Sequence, residues 1–282
     1  MRRHTLWVAV LAVLMLPALA SAQGFFDGAN WVAYNDCVGP ASGSAPNTTI
    51  WSGLLGGGGS FEAPSGELVK FADGTGTGVT ATLVAANIAG SLGSMPNAGT
   101  DAAGIFSGIL NLAESASYNS SSIPWSYDVT FTGLDPTKAY AFYTTANRDG
   151  SSYAGDGDGS RWSQFSIIGA DAYANASSSG VTVVSQDVIK MNGGYNTVNG
   201  YVVGWSGITA ADGSFRVLSQ NVGTDGPGHP YKSYGLQGFA LAQFDGSEPP
   251  AGQSDNSPEP ATWLLLACTG IVGFARRRKQ QA

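Results

Sequence analysis

Short runs of β-branched and aromatic residues, separated by Gly, Asn, Asp or Ser, recur along most of this chain and limit what it can fold into. Such runs between turn-forming residues are typical of β-strands. Helices have little material, because only 12% of the residues are charged and 40 are glycine. The predicted strands are 30–34, 48–51, 67–71, 78–84, 106–112, 127–132, 139–145, 162–168, 181–185, 200–205, 214–218 and 235–244.

About twelve short strands, with no helix longer than a turn or two, predict an all-β fold, a two-sheet β-sandwich of jelly-roll type. The clearest unit joins strands 127–132 and 139–145 through the turn-forming segment 133–137. This unit is either a hairpin or a strand pair across a corner of the sandwich. By pattern alone, the arrangement resembles the galactose-binding-like modules of surface proteins.

The N-terminus has the layout of a cleaved signal peptide. Arg2 and Arg3 precede an apolar run at 6–16, and the small residues Ala20 and Ala22 mark the cleavage site. A membrane anchor is the alternative, but it needs about 20 apolar residues, more than this run offers. The mature chain is therefore expected to begin after Ala22.

The C-terminus combines a proline triplet motif, an apolar helix and a basic end. The motif is Pro258-Glu259-Pro260, the predicted transmembrane helix is 261–275, and the basic end is Arg276, Arg277 and Arg278, followed by Lys279. Such a helix acts as a stop-transfer segment whose basic end stays in the cytoplasm. A plain C-terminal anchor is the alternative. The three-part order resembles the PEP-CTERM sorting signal of Gram-negative bacteria, which exosortase recognises.

That resemblance implies a route for the protein. The chain would be held briefly in the inner membrane, processed at its tail by an exosortase-like enzyme, and delivered to the cell surface or the extracellular matrix. The predicted divisions are a signal peptide at 1–22, the exported β-sandwich at 23–247, a Pro- and Ser-rich linker at 248–257 and the sorting signal at 258–282.

The charge of the exported part argues against nucleic acid as a partner. Six of the 13 Lys and Arg residues lie in the two targeting ends, whereas the whole chain has 20 Asp and Glu residues. The exported part is therefore strongly acidic. An acidic surface repels phosphate backbones. Exopolysaccharide or another glycan fits this charge better.

Few residues are available for catalysis in the exported part. His229 is its one histidine and Cys37 its one cysteine, since Cys268 belongs to the tail. A catalytic triad or a zinc site needs more than this pair. Buried packing is the simpler explanation of Cys37, so we expect no enzymatic activity and no required cofactor.

A glycine-rich loop offers a candidate metal site. Asp149, Asp156 and Asp158 bring carboxylate oxygens together in the segment 147–160, and such oxygens suit calcium. The segment lacks the distal glutamate of an EF-hand, and Asp and Gly are also the residues that form ordinary solvated turns. Calcium and a plain loop therefore both remain open.

Aromatic side chains suggest a second candidate site. Trp162 and Trp205 belong to alternating strands and are expected to pack inside. Trp125 and Tyr153 are expected to be exposed, where their rings would stack on sugars. The sequence therefore favours a structural or exopolysaccharide-associated surface protein, with a calcium-assisted carbohydrate-binding module as first alternative and an enzyme of unknown type as second.

Calcium binding by the aspartate loop can be tested by calorimetry on the exported domain. If Asp149, Asp156 and Asp158 form a site, titration with calcium releases or absorbs heat, and replacing Asp156 with Ala removes that signal. The absence of heat at millimolar calcium would contradict the site.

Overall fold

The computed structural model describes residues 24–37, 44–51, 59–88, 93–113, 124–154, 160–222 and 232–246; of residues 59–65 only the backbone is described. The chain divides into two compact units, Met1–Gly252 and Gln253–Ala282, and the described residues belong to the first. The predicted signal peptide, linker and sorting helix lie outside the described residues.

Strands dominate the described residues. The thirteen strands found there are β1 Ala29–Asp36, β2 Thr49–Ile50, β3 Gly59–Val69, β4 Gly76–Ile88, β5 Ser126–Thr132, β6 Ala139–Thr145, β7 Trp162–Ile168, β8 Ala172–Asn175, β9 Thr182–Ser185, β10 Val188–Asn192, β11 Val203–Thr209, β12 Ser214–Asn221 and β13 Gly238–Phe244. Helix α1 is Asp101–Phe106, helix α2 is Asn196–Asn199, and Ser151–Tyr153 forms a 3-10 turn.

The strands form two sheets that pack as a sandwich, which confirms the predicted fold class. Sheet A has the order β2-β1-β13-β6-β11-β8, and sheet B has the order β3-β4-β5-β12-β7-β10-β9. Strands β5 and β6 lie in different sheets, so the predicted unit is a pair across a sandwich corner and not a hairpin. The jelly-roll arrangement stays a prediction.

A glycine makes the corner between β5 and β6 possible. Gly133 has a φ of 80°, which L-residues rarely adopt, and a Cβ there would lie 2.4 Å from the carbonyl oxygen of Gly78. The next residue, Leu134, donates its backbone N–H to Gly213. The turn is therefore fixed to two neighbouring segments.

Aromatic rings form the centre of the core between the sheets. The ring centroid of Phe142 on β6 lies 5.7 Å from that of Phe131 on β5 and 5.8 Å from that of Phe239 on β13. All three side chains are fully buried. Burial of such rings is among the largest sources of stability in a domain of this size.

Sheet A is buried on its outer face as well. Tyr143, Ala240 and Ala242 face away from the sheet B side and form a second core with residues of the segment 93–113 that contains α1. Phe25 adds an edge-to-face contact, with its centroid 5.3 Å from that of Tyr143. All seven residues of β6 are therefore buried.

Helix α1 and the turns after it replace a predicted strand. The prediction of a strand at 106–112 is wrong, because α1 ends at Phe106 and turns follow it. Thr100 caps the helix by accepting a hydrogen bond from the backbone of Ala103, and Gly108 turns the chain with a φ of 77°. Leu110 and Leu112 then pack on sheet A without joining it.

Two strands were missed by the sequence pattern. Strand β8 is a short edge strand with mostly exposed residues, and β10 lies in a segment for which the sequence pattern predicts no strand. Both are set by pairing with neighbours, β8 with β11 and β10 with β7. Local sequence gives little signal for strands of this kind.

The aromatic core can be tested by truncating Phe142. We expect Phe142→Ala to lower the free energy of unfolding by about 3–5 kcal/mol, because it leaves a cavity between the sheets. Val84→Ala is the control, since Val84 is 49% exposed on the outer face of sheet B; its cost should stay under about 1 kcal/mol. Urea unfolding measures both, and equal losses would contradict this packing.

Candidate functional site

The two ends of the sandwich differ in that β1 begins and β13 ends at the same one. Strand β13 runs antiparallel to β1, so Phe244 lies beside Ala29 and Gly238 lies beside Asp36. The chain therefore enters and leaves the sandwich at one end. We call the opposite end the distal end; it consists of residues 146–154, 160–161, 192–202 and 232–237, about 20 Å away along β13.

The distal end contains a buried network of amide side chains. Gln237 accepts a hydrogen bond from the backbone N–H of Asn147 and donates to the carbonyl oxygens of Leu112 (3.1 Å) and Asn147 (3.2 Å). Asn196 donates to the Thr145 hydroxyl at 3.1 Å and to Oδ1 of Asn147 at 3.0 Å. Buried amides satisfied in this way hold the chain after β6 in one conformation.

The start of the predicted calcium loop is tied to a glycine pair at 193–194. Arg148 donates its backbone N–H to Gly193 (3.1 Å), and Gly150 does the same to Gly194 (3.1 Å). A Cβ on Gly194 would lie 2.5 Å from the Cβ of Tyr153, so this close approach requires glycine. The loop therefore leaves from a well-defined stem.

The three predicted calcium ligands are only partly within the described residues. Asp149 is exposed, whereas Asp156 and Asp158 lie outside the described residues. Within the part of the chain that the structure describes, no three His, Cys, Asp or Glu side chains are grouped to hold a metal ion. Calcium binding therefore stays a prediction.

Two arginines lie close to the stem of this loop. Burial raises the pKa of Tyr234, and the nearby guanidinium groups of Arg148 and Arg161 partly oppose that rise. Both arginines are therefore close enough to Tyr234 to influence its phenol electrostatically. A cation bound close to the stem would be repelled by these groups.

Tyr153 is half-buried, and a cation covers one face of its ring. The guanidinium carbon of Arg161 lies 4.0 Å from the ring centroid, a cation–π contact. Asn192 donates to the carbonyl oxygen of Tyr153 at 2.8 Å and fixes the turn. A sugar would have to use another part of the ring, and the stacking role of Tyr153 stays a prediction.

Trp125 does not have the exposure expected of it. The ring is 1% exposed and packs edge-to-face on Tyr127, with their centroids 5.8 Å apart. The physical reason is alternation, because Trp125, Tyr127, Val129 and Phe131 all point into the core between the sheets. The prediction of an exposed, sugar-stacking Trp125 is wrong.

Of the two tryptophans expected inside, only one is buried. Trp205 is fully buried, as predicted, and donates its indole N–H to the carbonyl oxygen of Gln186 at 2.9 Å. Trp162 is partly exposed, because Ser163, Phe165 and Ile167 take the inward positions of β7. The prediction of an inward Trp162 is therefore wrong. The sequence signal for this was the spacing of Ser163, Phe165 and Ile167, which places them on one face of the strand and Trp162 on the other.

Cys37 is buried in the core between the sheets, as expected for packing. Burial and the neighbouring carboxylate of Asp36 raise the pKa of the thiol, against a hydrogen bond from Asn35. Asp36 accepts hydrogen bonds from the hydroxyl of Ser44 (2.7 Å) and the backbone of Asn111 (3.2 Å). His229, the one histidine of the predicted exported part, lies outside the described residues.

The burial of Cys37 predicts that its thiol is unreactive in the folded protein. At pH 8 a thiol-reactive chromogenic disulfide should not label Cys37 until the chain is unfolded in guanidinium, because the neutral thiol is favoured and inaccessible. The tail adds a second thiol, Cys268, so a Cys268→Ser variant isolates the signal. Rapid labelling of the folded variant would contradict this placement.

The signal-cleavage residues Ala20 and Ala22 and the sorting residues from Pro258 to Arg278 lie outside the described residues. Among the residues that are described, no helix is long and apolar enough to cross a membrane. Residues 258–279 match the family model of the PEP-CTERM protein-sorting motif. No curated protein and no solved structure matches the chain.

Proposed function

Because the chain carries a PEP-CTERM sorting motif and is thus an exported protein sorted by an exosortase, we propose that its β-sandwich is a non-enzymatic component of the cell surface or exopolysaccharide matrix. The motif at residues 258–279 is the observation that carries this proposal. Calcium-assisted carbohydrate binding is the alternative that keeps the same location.

The tail itself supports temporary anchoring. The apolar segment 261–275 has 15 residues, which as a helix is about 22 Å long against a hydrocarbon core of about 30 Å. Its basic end would remain cytoplasmic. A segment this short holds Pro258, Glu259 and Pro260 near the outer interface of the inner membrane, where the processing enzyme cuts.

The connection between sandwich and tail supports a display role. Asp245, just after β13, accepts hydrogen bonds from Lys138 and from Asn30 at 2.9 Å, so the exit of the chain is tied to the start of β1. If the protein is attached to the cell through residues after β13, the attachment begins at this end of the sandwich. The distal end and the outer face of sheet B are then the parts available to the matrix.

The use of polar residues in the sandwich supports a non-enzymatic role. The side chains of Asp36, Gln237 and Asn196 form hydrogen bonds with backbone groups and neighbouring side chains of the sandwich. Cys37 is enclosed in the core. These side chains hold the fold together, which suits a component exposed outside the cell.

The sorting step can be tested by replacing the motif. We expect Pro258→Ala/Glu259→Ala/Pro260→Ala to keep its tail and stay in the membrane fraction, because the processing enzyme no longer recognises it. The unaltered chain should appear outside the cells, shortened by the tail, when intact mass is measured. Gln253→Ala in the linker is the control and should be processed normally. Normal shortening of the motif variant would contradict the proposal.

A further inference from the structure

The outer face of sheet B has exposed side chains on its central strands, whereas the central strands β6 and β13 of sheet A are covered. On β5, β12 and β7 the inward positions hold the core, and the outward positions hold Asp128, Arg216 and Gln164, which are partly or fully exposed. Val84 on β4 is 49% exposed on the same face. The backbone groups of these strands are already paired within the sheet, so a ligand here must be held by side chains.

Four polar side chains form a continuous row across this face. Ser126 lies opposite Gln220, Gln220 opposite Gln164, and Gln164 opposite Lys190 in the strand register. Neighbouring strands are about 4.8 Å apart, so the row is about 14 Å long. All four side chains are partly exposed, and no residue that the structure describes forms a hydrogen bond with any of them.

An indole lies beside this row, on the side of the distal end of the sandwich. Trp162 precedes Gln164 by two residues on β7 and therefore shares its face. Its cross-strand neighbour Asn192 carries the hydrogen bond that fixes the turn at Tyr153, so both aromatic residues border the same corner of the face.

The indole of Trp162 exposes only part of its ring. Its Nε1 is buried and has no hydrogen-bond partner among the described residues. The accessible part of the ring is apolar, which suits stacking on the C–H face of a sugar.

The charge of the face fits an uncharged ligand. Asp128 and Arg216, on the same face but outside the row, form a salt bridge at 2.7 Å, and Lys190 is the one charged residue in the row itself. Amides and a hydroxyl both donate and accept hydrogen bonds, as sugar hydroxyls require. A polyanion would need a cluster of cations instead.

We propose that the row Ser126, Gln220, Gln164 and Lys190, together with Trp162, binds a chain of neutral polysaccharide. One sugar ring stacks on Trp162 beside Gln164, and adjoining rings form hydrogen bonds across β7 and β12. This site rests on the proposed association with exopolysaccharide and gives it a location. Many copies binding one polymer would retain the protein in the matrix even if each contact is weak.

Affinity electrophoresis of the full chain in mild detergent tests the site. The gels contain a neutral cellulose derivative, a neutral galactomannan, acidic alginate, or the exopolysaccharide of the producing cells. We expect at least one of the neutral gels, or the cells' own polymer, to retard the chain. Trp162→Ala should weaken that retardation by at least about tenfold, and Gln164→Ala/Gln220→Ala by about three- to tenfold.

Two control variants distinguish loss of binding from loss of the fold. Trp162→Phe keeps an aromatic ring and should retain most of the binding, and Val84→Ala, on the same face but away from the row, should bind as the unaltered chain does. Equal retardation of Trp162→Ala and the unaltered chain would overturn the site. So would retardation by alginate alone, or no retardation in any gel.

Failure of the site can be told apart from failure of the proposed function. Fractionation of the producing cells gives the location of the unaltered chain and of Trp162→Ala. If both remain in the matrix and the gels show no binding, the surface role stands and the polysaccharide site falls. If the unaltered chain is absent from the surface and matrix fractions, the proposed function itself falls.

Discussion

The burial of the central strands β6 and β13 of sheet A on both faces is the constraint on which the rest of the structure depends. Strand β6 alternates between two cores, with Tyr140 and Phe142 packed against sheet B and Ala141 and Tyr143 packed under the segment that contains α1. Burial raises the pKa of Tyr143 to about 12, so the phenol stays neutral at pH values that would ionise an exposed tyrosine. A strand enclosed in this way cannot present side chains to a ligand.

Among the residues that the structure describes, the outer face of sheet B and the distal end therefore remain available to contact a ligand. Gln237 and Asn147 close the distal end with hydrogen bonds that begin where β6 and β13 meet. The same end carries Tyr153 and Arg161, next to the start of β7. The inner face of sheet B packs in the core, and its outer face exposes both polar and apolar side chains.

The sequence predicted the fold class and several strands because local pattern and tertiary structure agree there. The predicted bounds of β6 and β7 match those observed, and the turn between β5 and β6 lies where Gly133 and Pro136 predict it. The sorting motif was predictable for a different reason, since it is a short linear signal that needs no fold.

The misses have a common physical cause, which is that single sequences do not reveal which face of an element is covered. Trp125 and Trp162 exchange their expected environments because the inward positions are set by Tyr127 on β5 and by Ser163 and Phe165 on β7. The segment 106–112 has strand-like residues, yet it covers sheet A as turns. The row across sheet B joins residues far apart in sequence, and only the strand register brings them together.

Hydrogen exchange followed by mass spectrometry, with and without the polysaccharide of the producing cells, tests the division between a closed and an open sheet. Amides of β6 and β13 should exchange slowest in both conditions, because they lie in the sheet buried on both faces. Added polysaccharide should slow exchange in peptides from β7, β10 and β12 and leave β6 and β13 unchanged. Fast exchange in β6, or protection confined to the segment 93–113, would contradict the account.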